Sequence, residues 1–248
     1  MNILILTSCC YPNTSLSVSD LTPNQRFIDL CANISYLIKK AIFDFIVIVD
    51  PSLNASRSKI TRLEALVGED LKGKYHIMIP HLDKHEKKNV ESRGKGYSEL
   101  LLLGKAIEYI TLMGWLDSHI FKLSARYRLF NIRELVQMYL NAHLQKGCKI
   151  GLTYSLHHAS VSTIFFSFPV HCSHHILNCL DLINDASSHT IESVFFDQLV
   201  LRPSAEYIRL PDPIFFPGTR SGSHNKVYGI YSIILQVIKV WLFRAAHK

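Results

Sequence analysis

Two unbroken apolar runs near the amino terminus set the frame. "NILILTS" (2–8) is a β-branched and leucine run that ends in "CCYPNTS", and "FDFIVIVDPS" (43–52) is a second that ends in Asp50. Each has the length and flanks of a buried strand leaving into a loop. Between them, "PNQRFIDLCANISYLIKKAI" places Phe27, Leu30, Ile34, Leu37 and Ile38 at helical spacing behind Pro23. Strand, helix, strand in that order predicts a βαβ unit and, with it, a parallel sheet.

The alternation continues. "KYHIMIP" (74–80) reads as a third strand, "HLDKHEKKNVESRGKG" as a charged, flexible, solvent-exposed loop, "YSELLLLGKAIEYITLMGW" as a helix and "SHIFKLS" as a fourth strand. The expected fold is α/β, a mostly parallel, Rossmann-like sheet with helices on both faces. A chain of 248 residues, 48% of them apolar, can bury a substantial core, and residues 1–225 are expected to form one domain. No internal repeat or low-complexity tract interrupts it.

The remaining segment, 226–248, "KVYGIYSIILQVIKVWLFRAAHK", reads as an amphipathic helix. Gln236 and Lys239 break its apolar run before the roughly 18 to 20 residues that a spanning helix needs. Trp241 with flanking cations suits a helix lying in an anionic membrane interface; docking on the protein core is the competing account.

Charge narrows the partners. The 27 basic and 20 acidic residues leave a formal charge of +7, which favours phosphates, nucleic acid or anionic lipid. Six cysteines are spread without the rhythm of a small disulfide domain, so a reduced, cytosolic chain is expected. The cluster "HCSHHILNC" (171–179) lacks the second ligand pair that a structural zinc site uses, and no metal is expected there.

In open parallel sheets, ligands bind outside the carboxyl ends of the strands. The four strand ends here carry "TSCCYPN", "DPS", "PHLDKH" and "SARYR" to one edge. Asp50 suits ribose hydroxyls or a base N–H, while Lys122, Arg126 and Arg128 suit phosphates; Thr7, Ser8 and Ser124 add hydroxyls. The bland alternative is that each arginine merely pairs with a surface acid. A second cationic element, "SRGKGYSE", sets Gly94, Lys95 and Gly96 at a helix start, where backbone N–H groups and the helix dipole favour an anion. Glu99 in the first turn is either a ligand or a carboxylate favoured by the dipole.

Taken together, "GKGYSELLLLGKAIEYI" and "IFKLSARYRLFN" resemble a group of bacterial enzymes that assemble capsule and lipopolysaccharide O-antigen, with the GT-A fold of nucleotide-sugar glycosyltransferases. In those enzymes a "KxxGRY"-like element follows a "GKGxxE"-like helix start, and the detailed likeness covers residues 90 to 132. The resemblance implies a hexosyltransferase that moves a sugar from a UDP-linked donor to a polyprenyl-diphosphate-linked oligosaccharide, peripheral at the inner face of the cytoplasmic membrane. Members with this fold usually end the fourth strand in a metal-binding Asp-x-Asp pair; here Ser124-Ala125-Arg126 stands in its place, and Ala125 replaces an expected glycine. The departure implies a metal-independent enzyme without cofactors, in which Lys122 and Arg126 neutralise the diphosphate.

In inverting members, a carboxylate at a helix start in "HTIESVFFDQLV" serves as base, and Glu192 is the expected residue, ahead of the later Asp197. The following "PDPIFFPGTRSGSHNKVYG" is expected to be a lid that brings Arg220, Ser221, Ser223 or His224 to the diphosphate, or else a linker to the tail. Two other classes stand beside the enzyme reading: a basic nucleic-acid-binding protein and a non-catalytic nucleotide-binding module. The cations fall on separate strand-end loops, without the interleaved aromatics of a single-strand platform, which disfavours nucleic acid.

Overall fold

A computed structural model describes residues 1–9, 22–55, 57–68, 73–143, 149–202, 206–216 and 228–246. The expected alternation forms the first half. Strand β1 (Asn2–Thr7) leads through helix α1 (Pro23–Lys40) to β2 (Phe45–Val49), and α2 (Arg57–Val67) leads to β3 (Tyr75–Met78). Two further helices, α3 (Lys84–Arg93) and α4 (Lys95–Leu112), precede β4 (His119–Ser124). These four strands pair in parallel in the order β3, β2, β1, β4, with Thr7 in register with both Val49 and Ser124.

The second half is less regular. Helix α5 (Ile132–His143) precedes β5 (Lys149–Leu152), and β6 (Tyr154–Ser155) and β7 (Ser160–Val161) form a small hairpin. Strand β8 (Phe165–Pro169) then inserts antiparallel between β4 and β5, and short α6 (Ser173–Leu177) and α7 (Ile191–Phe195) follow, the latter running on into a π-helical turn, Phe196–Leu201. Strand β9 (Glu206–Arg209) closes the seven-stranded sheet beside β5, and α8 (Ile230–Ala246) follows.

Strand alternation divides the core into two layers. Ile3, Ile5, Val47, Ile120, Phe166 and Phe168 pack under α4, α6 and α7, while Leu4, Leu6, Ile48, Phe121, Leu123 and Phe165 pack under α1, α2 and α5. Helix α1 starts where the sequence says it should. Thr22 Oγ1 accepts from the Gln25 amide at 3.2 Å and Pro23 occupies the first turn, where its missing N–H is no loss.

Three expectations change. The charged stretch expected as a loop is helix α3, nucleated by a capping box: Asp83 accepts from the Glu86 amide at 2.8 Å and Glu86 from the Asp83 amide at 3.0 Å. None of its residues is buried, so the hydrophobic pattern carried no sign of it. The cysteines are not all reduced: Cys172 is disulfide-bonded, whereas Cys9, Cys31 and Cys179 are free. The tail helix, expected either on the core or on a membrane, docks on the core by one face only. Val240 is buried, Gln236 Oε1 accepts from the Phe215 amide at 3.0 Å, and Arg244 pairs with Glu134 of α5 at 2.5 Å. The opposite face of α8 is apolar and exposed.

Candidate active site

The carboxyl ends of β1, β2 and β4 lie side by side, as parallel pairing requires. Asp50, the first residue past β2, is fully buried and accepts from the Ser52 amide at 2.8 Å and from the Ser52 hydroxyl, which fixes the turn Pro51–Ala55. Thr7, at the end of β1, is buried and its hydroxyl has no hydrogen-bond partner among the described residues. A hydroxyl left unmatched in the interior costs about 1–3 kcal/mol unless something arrives to meet it. Ser8, next in line, is half-buried and donates its amide to the Val49 carbonyl at 2.9 Å.

Lys122 does not stand free at the strand end. Its ammonium, 1% exposed, lies under α4 and donates to Glu99, to Ser124 Oγ at 2.9 Å and to the Thr163 carbonyl at 2.5 Å. An ammonium has three N–H donors, and all three have protein acceptors here. Its reading as a direct diphosphate ligand therefore changes: it is an internal cation, with the Phe166 ring 5.5 Å away on the same face of the sheet. Glu99, whose side chain is 13% exposed, also accepts from Ser124 Oγ at 2.9 Å. Burial alone would raise the Glu99 pKa; the Lys122 charge, then that of Lys95, and the two hydrogen bonds outweigh it and hold the carboxyl down at about 2. Burial lowers the Lys122 pKa, against the opposing pull of Glu99. Of the two readings left open for Glu99, ligand or dipole partner, the structure offers a third, the counter-ion of Lys122.

The helix start at Gly94 and Gly96 does receive an anion, but from the chain itself. Asp185 Oδ2 accepts from the Gly96 amide at 2.8 Å. A Cβ at Gly94 would come within 2.7 Å of Asp185 Oδ2, and one at Gly96 within 2.9 Å of Oδ1. The expected backbone cradle is filled by this carboxylate, which leaves exposed Lys95, whose charge acts on Glu99 without forming an ion pair among the described residues, as the element's outward cation.

Past β4 the turn is pinned from two sides. The Ala125 amide donates to the Thr7 carbonyl at 3.0 Å, and Asn33 Nδ2 donates to the Ala125 carbonyl at 2.6 Å. Arg126 and Arg128 are half-buried and, among the described residues, neither pairs with a carboxylate; their guanidinium groups lie 5.5 Å from the Tyr127 ring and 5.9 Å from the Phe216 ring.

Glu192, in the first turn of α7, reaches the same edge. Its Oε1 accepts from the Thr163 hydroxyl at 3.1 Å, and its charge acts on Lys122. Asp197 is exposed on the π-helical turn. Arg220, Ser221, Ser223 and His224 lie outside the described residues. Two participants escaped the sequence reading, Thr163 and Asp185. Thr163 is a lone hydroxyl between two short strands with no local signature, whereas a Gly-Lys-Gly helix start does ask for an anion without saying which.

No family model matches this chain, and no curated protein does. Among solved structures, a protein described as a nucleotide-diphospho-sugar transferase, from Desulfovibrio desulfuricans G20, superposes with a TM-score of 0.53 at 12% identity, over 85% of this chain and 80% of that one. A 4-diphosphocytidyl-2C-methyl-D-erythritol synthase matches with a TM-score of 0.43 at 10% identity, over 96% and 98% of the two chains. The same synthase from Anaerococcus prevotii DSM 20548 matches at 0.42 and 11%, over 98% and 96%. The first likeness is a likeness of fold: a mostly parallel sheet with helices on both faces, of the GT-A-like kind.

Proposed function

We propose that this chain is a glycosyltransferase of the hexosyltransferase class that uses a nucleotide-sugar donor, UDP-linked, and acts without a metal. One observation carries the reading: a hydrogen-bonded carboxylate, Glu192, shares the carboxyl edge of the sheet with Arg126 and Arg128, which have no carboxylate partner among the described residues. The GT-A-like fold supports it. Asp50 and Thr7 line the nucleoside end, and Lys95, Arg126 and Arg128 meet the diphosphate, joined by Arg220, Ser221 and His224 as the lid that the sequence suggests. Glu192 takes the proton of the acceptor hydroxyl while that oxygen bonds to the anomeric carbon. The bond from that carbon to the diphosphate oxygen breaks, and its electron pair leaves with UDP, where fixed cations stabilise the growing charge.

Calorimetric titration of UDP, GDP and CMP in EDTA tests the donor class. We expect selective micromolar binding of UDP, weakened about tenfold or more by Arg126→Ala, the effect of losing one charge-assisted hydrogen bond. Failure of every nucleotide to bind, alongside salt-sensitive binding of any oligonucleotide, would instead favour a nucleic-acid partner.

The acceptor that fits is a polyprenyl-diphosphate-linked oligosaccharide of surface polysaccharide synthesis, as the likeness to the capsule and O-antigen enzymes suggests, met at the cytoplasmic face of the membrane. Helix α8 supports this. No described helix is long and apolar enough to cross a membrane. The outward face of α8 nevertheless carries Ile230, Ile234, Leu235, Ile238, Trp241 and Leu242, with Ile230 70% and Trp241 63% exposed. At 3.6 residues per turn these six fall within an arc of roughly 140°, bordered by Lys239 on one side and Arg244 on the other. In flotation with phosphatidylcholine vesicles, with and without phosphatidylglycerol, the protein is expected to bind the anionic ones, and Trp241→Ser to weaken binding about tenfold. Equal recovery of both proteins in the vesicle-free fraction would remove the membrane from the reading.

A further inference from the structure

We propose that Lys122 and Thr163 are positioning residues that hold Glu192 in place, an inference that rests on the transferase reading above. Lys122 donates to the Thr163 backbone carbonyl at 2.5 Å, and the hydroxyl of the same residue donates to Glu192 Oε1 at 3.1 Å. Thr163 is thus gripped from below by a cation and grips the carboxylate above. It is 5% exposed, on the short stretch between β7 and β8, and the next residue is tied down as well, the Ile164 carbonyl accepting from the Ser124 amide at 2.9 Å.

The ammonium has no freedom to relax. Its other two donors are engaged by Glu99 from α4 and Ser124 from β4. A carboxylate on the first turn of a short helix, by contrast, has three side-chain torsions of its own. The hydrogen bond from Thr163 selects one of its orientations, and the Glu99–Lys122 pair fixes where Thr163 stands. This places Glu99 and Lys122 one step behind the reacting atoms: they touch each other, Lys122 alone of the two reaches Thr163, and Glu192 is the carboxylate that meets the acceptor. A displacement of about 1 Å in such a group can lower turnover by about a hundredfold.

The test compares Thr163→Val, which keeps the shape and removes the hydroxyl, with Thr163→Ser, which keeps the hydroxyl, and with the paired change Glu99→Gln plus Lys122→Met. Release of UDP from the UDP-hexose that binds tightest is followed with water as acceptor, and the position of Glu192 is read from crystal structures of wild type and Thr163→Val. We expect Thr163→Val to lower kcat tenfold to a hundredfold with KM within about twofold, Thr163→Ser to recover most of it, and the paired change to resemble valine. In the crystal the Glu192 carboxylate should leave its wild-type position in the valine variant. An unmoved carboxylate with wild-type kcat, in a protein that Glu192→Gln inactivates, would overturn the positioning role and leave the base standing. Wild-type kcat in Glu192→Gln would overturn the base itself and the positioning role with it.

Discussion

Lys122→Met is expected to lower the free energy of unfolding by about 3–5 kcal/mol, measured by urea denaturation at pH 7. The substitution is nearly isosteric, so little volume is lost. What remains is a largely buried Glu99 carboxylate without its cation, and a Thr163 carbonyl and Ser124 hydroxyl without their donor. Removing both charges together, Glu99→Gln with Lys122→Met, should return stability to within about 1–2 kcal/mol of wild type, because a buried pair replaced as a unit leaves no orphan charge. The pH dependence gives an independent check. The Glu99 carboxyl titrates at about 2 in the folded chain against an ordinary 4.5. A depressed carboxylate contributes its stability above the unfolded value and loses it as pH falls through the folded one. Wild type should therefore lose stability between about pH 5 and pH 2 more steeply than the doubly neutral variant. Parallel curves for the two proteins across that window would contradict the assignment of the pair.

Gly94→Ala should be nearly as damaging, at about 2–3 kcal/mol. Gly94 ends α3 and precedes α4 with φ 93° and ψ −164°, a region that essentially only glycine visits. An added Cβ would also lie 2.7 Å from Asp185 Oδ2 and 2.9 Å from Asp185 Cβ, so the carboxylate that caps α4 would have to move. Loss of that cap frees the Gly96 amide, which by itself is worth about 1 kcal/mol. Asp185→Ala, which removes the cap and leaves the glycine alone, should cost only that smaller amount. A Gly94→Ala protein no less stable than Asp185→Ala would mean that backbone strain is absent and only the cap matters.

These residues show where sequence reading stops. Strands β1, β2 and β4 and helices α1 and α4 were legible because each buries a continuous or periodic apolar set, Ile3 to Leu6 and Phe45 to Val49 among them, and half-buried β3 was legible from its short apolar run. Helix α3 was not, because none of its residues is fully buried and only Val90 leans on the core; its only sign was the spacing of Asp83 and Glu86. Strands β5 to β9 span two to five residues each, too short for a period to declare itself. Within the site, the residue types at the strand ends were legible and their partners were not. Lys122 sits in an apolar run between Phe121 and Leu123, and alternation alone says that it faces the layer opposite to theirs. That Glu99 waits there depends on how α4 lies across the sheet, and that Thr163 waits there depends on β8 running antiparallel beside β4, where Phe165 pairs with Leu123. Neither is a local property of the chain. The same holds for Gly94 and Asp185, which are brought together from elements 91 residues apart (185 − 94).

The outward face of α8 has a consequence for the chain in dilute buffer. An apolar arc of this breadth, with Trp241 and Ile230 more than half exposed, is a template for reversible self-association. What opposes it is repulsion between copies that each carry a formal charge of +7, with Lys239 at one border of the arc. Added salt shortens the reach of that repulsion to roughly 8 Å at physiological ionic strength while leaving the apolar attraction in place. Light scattering of this chain is therefore expected to run opposite to the usual salting-in of a basic protein, with dispersion at low ionic strength and association as salt rises.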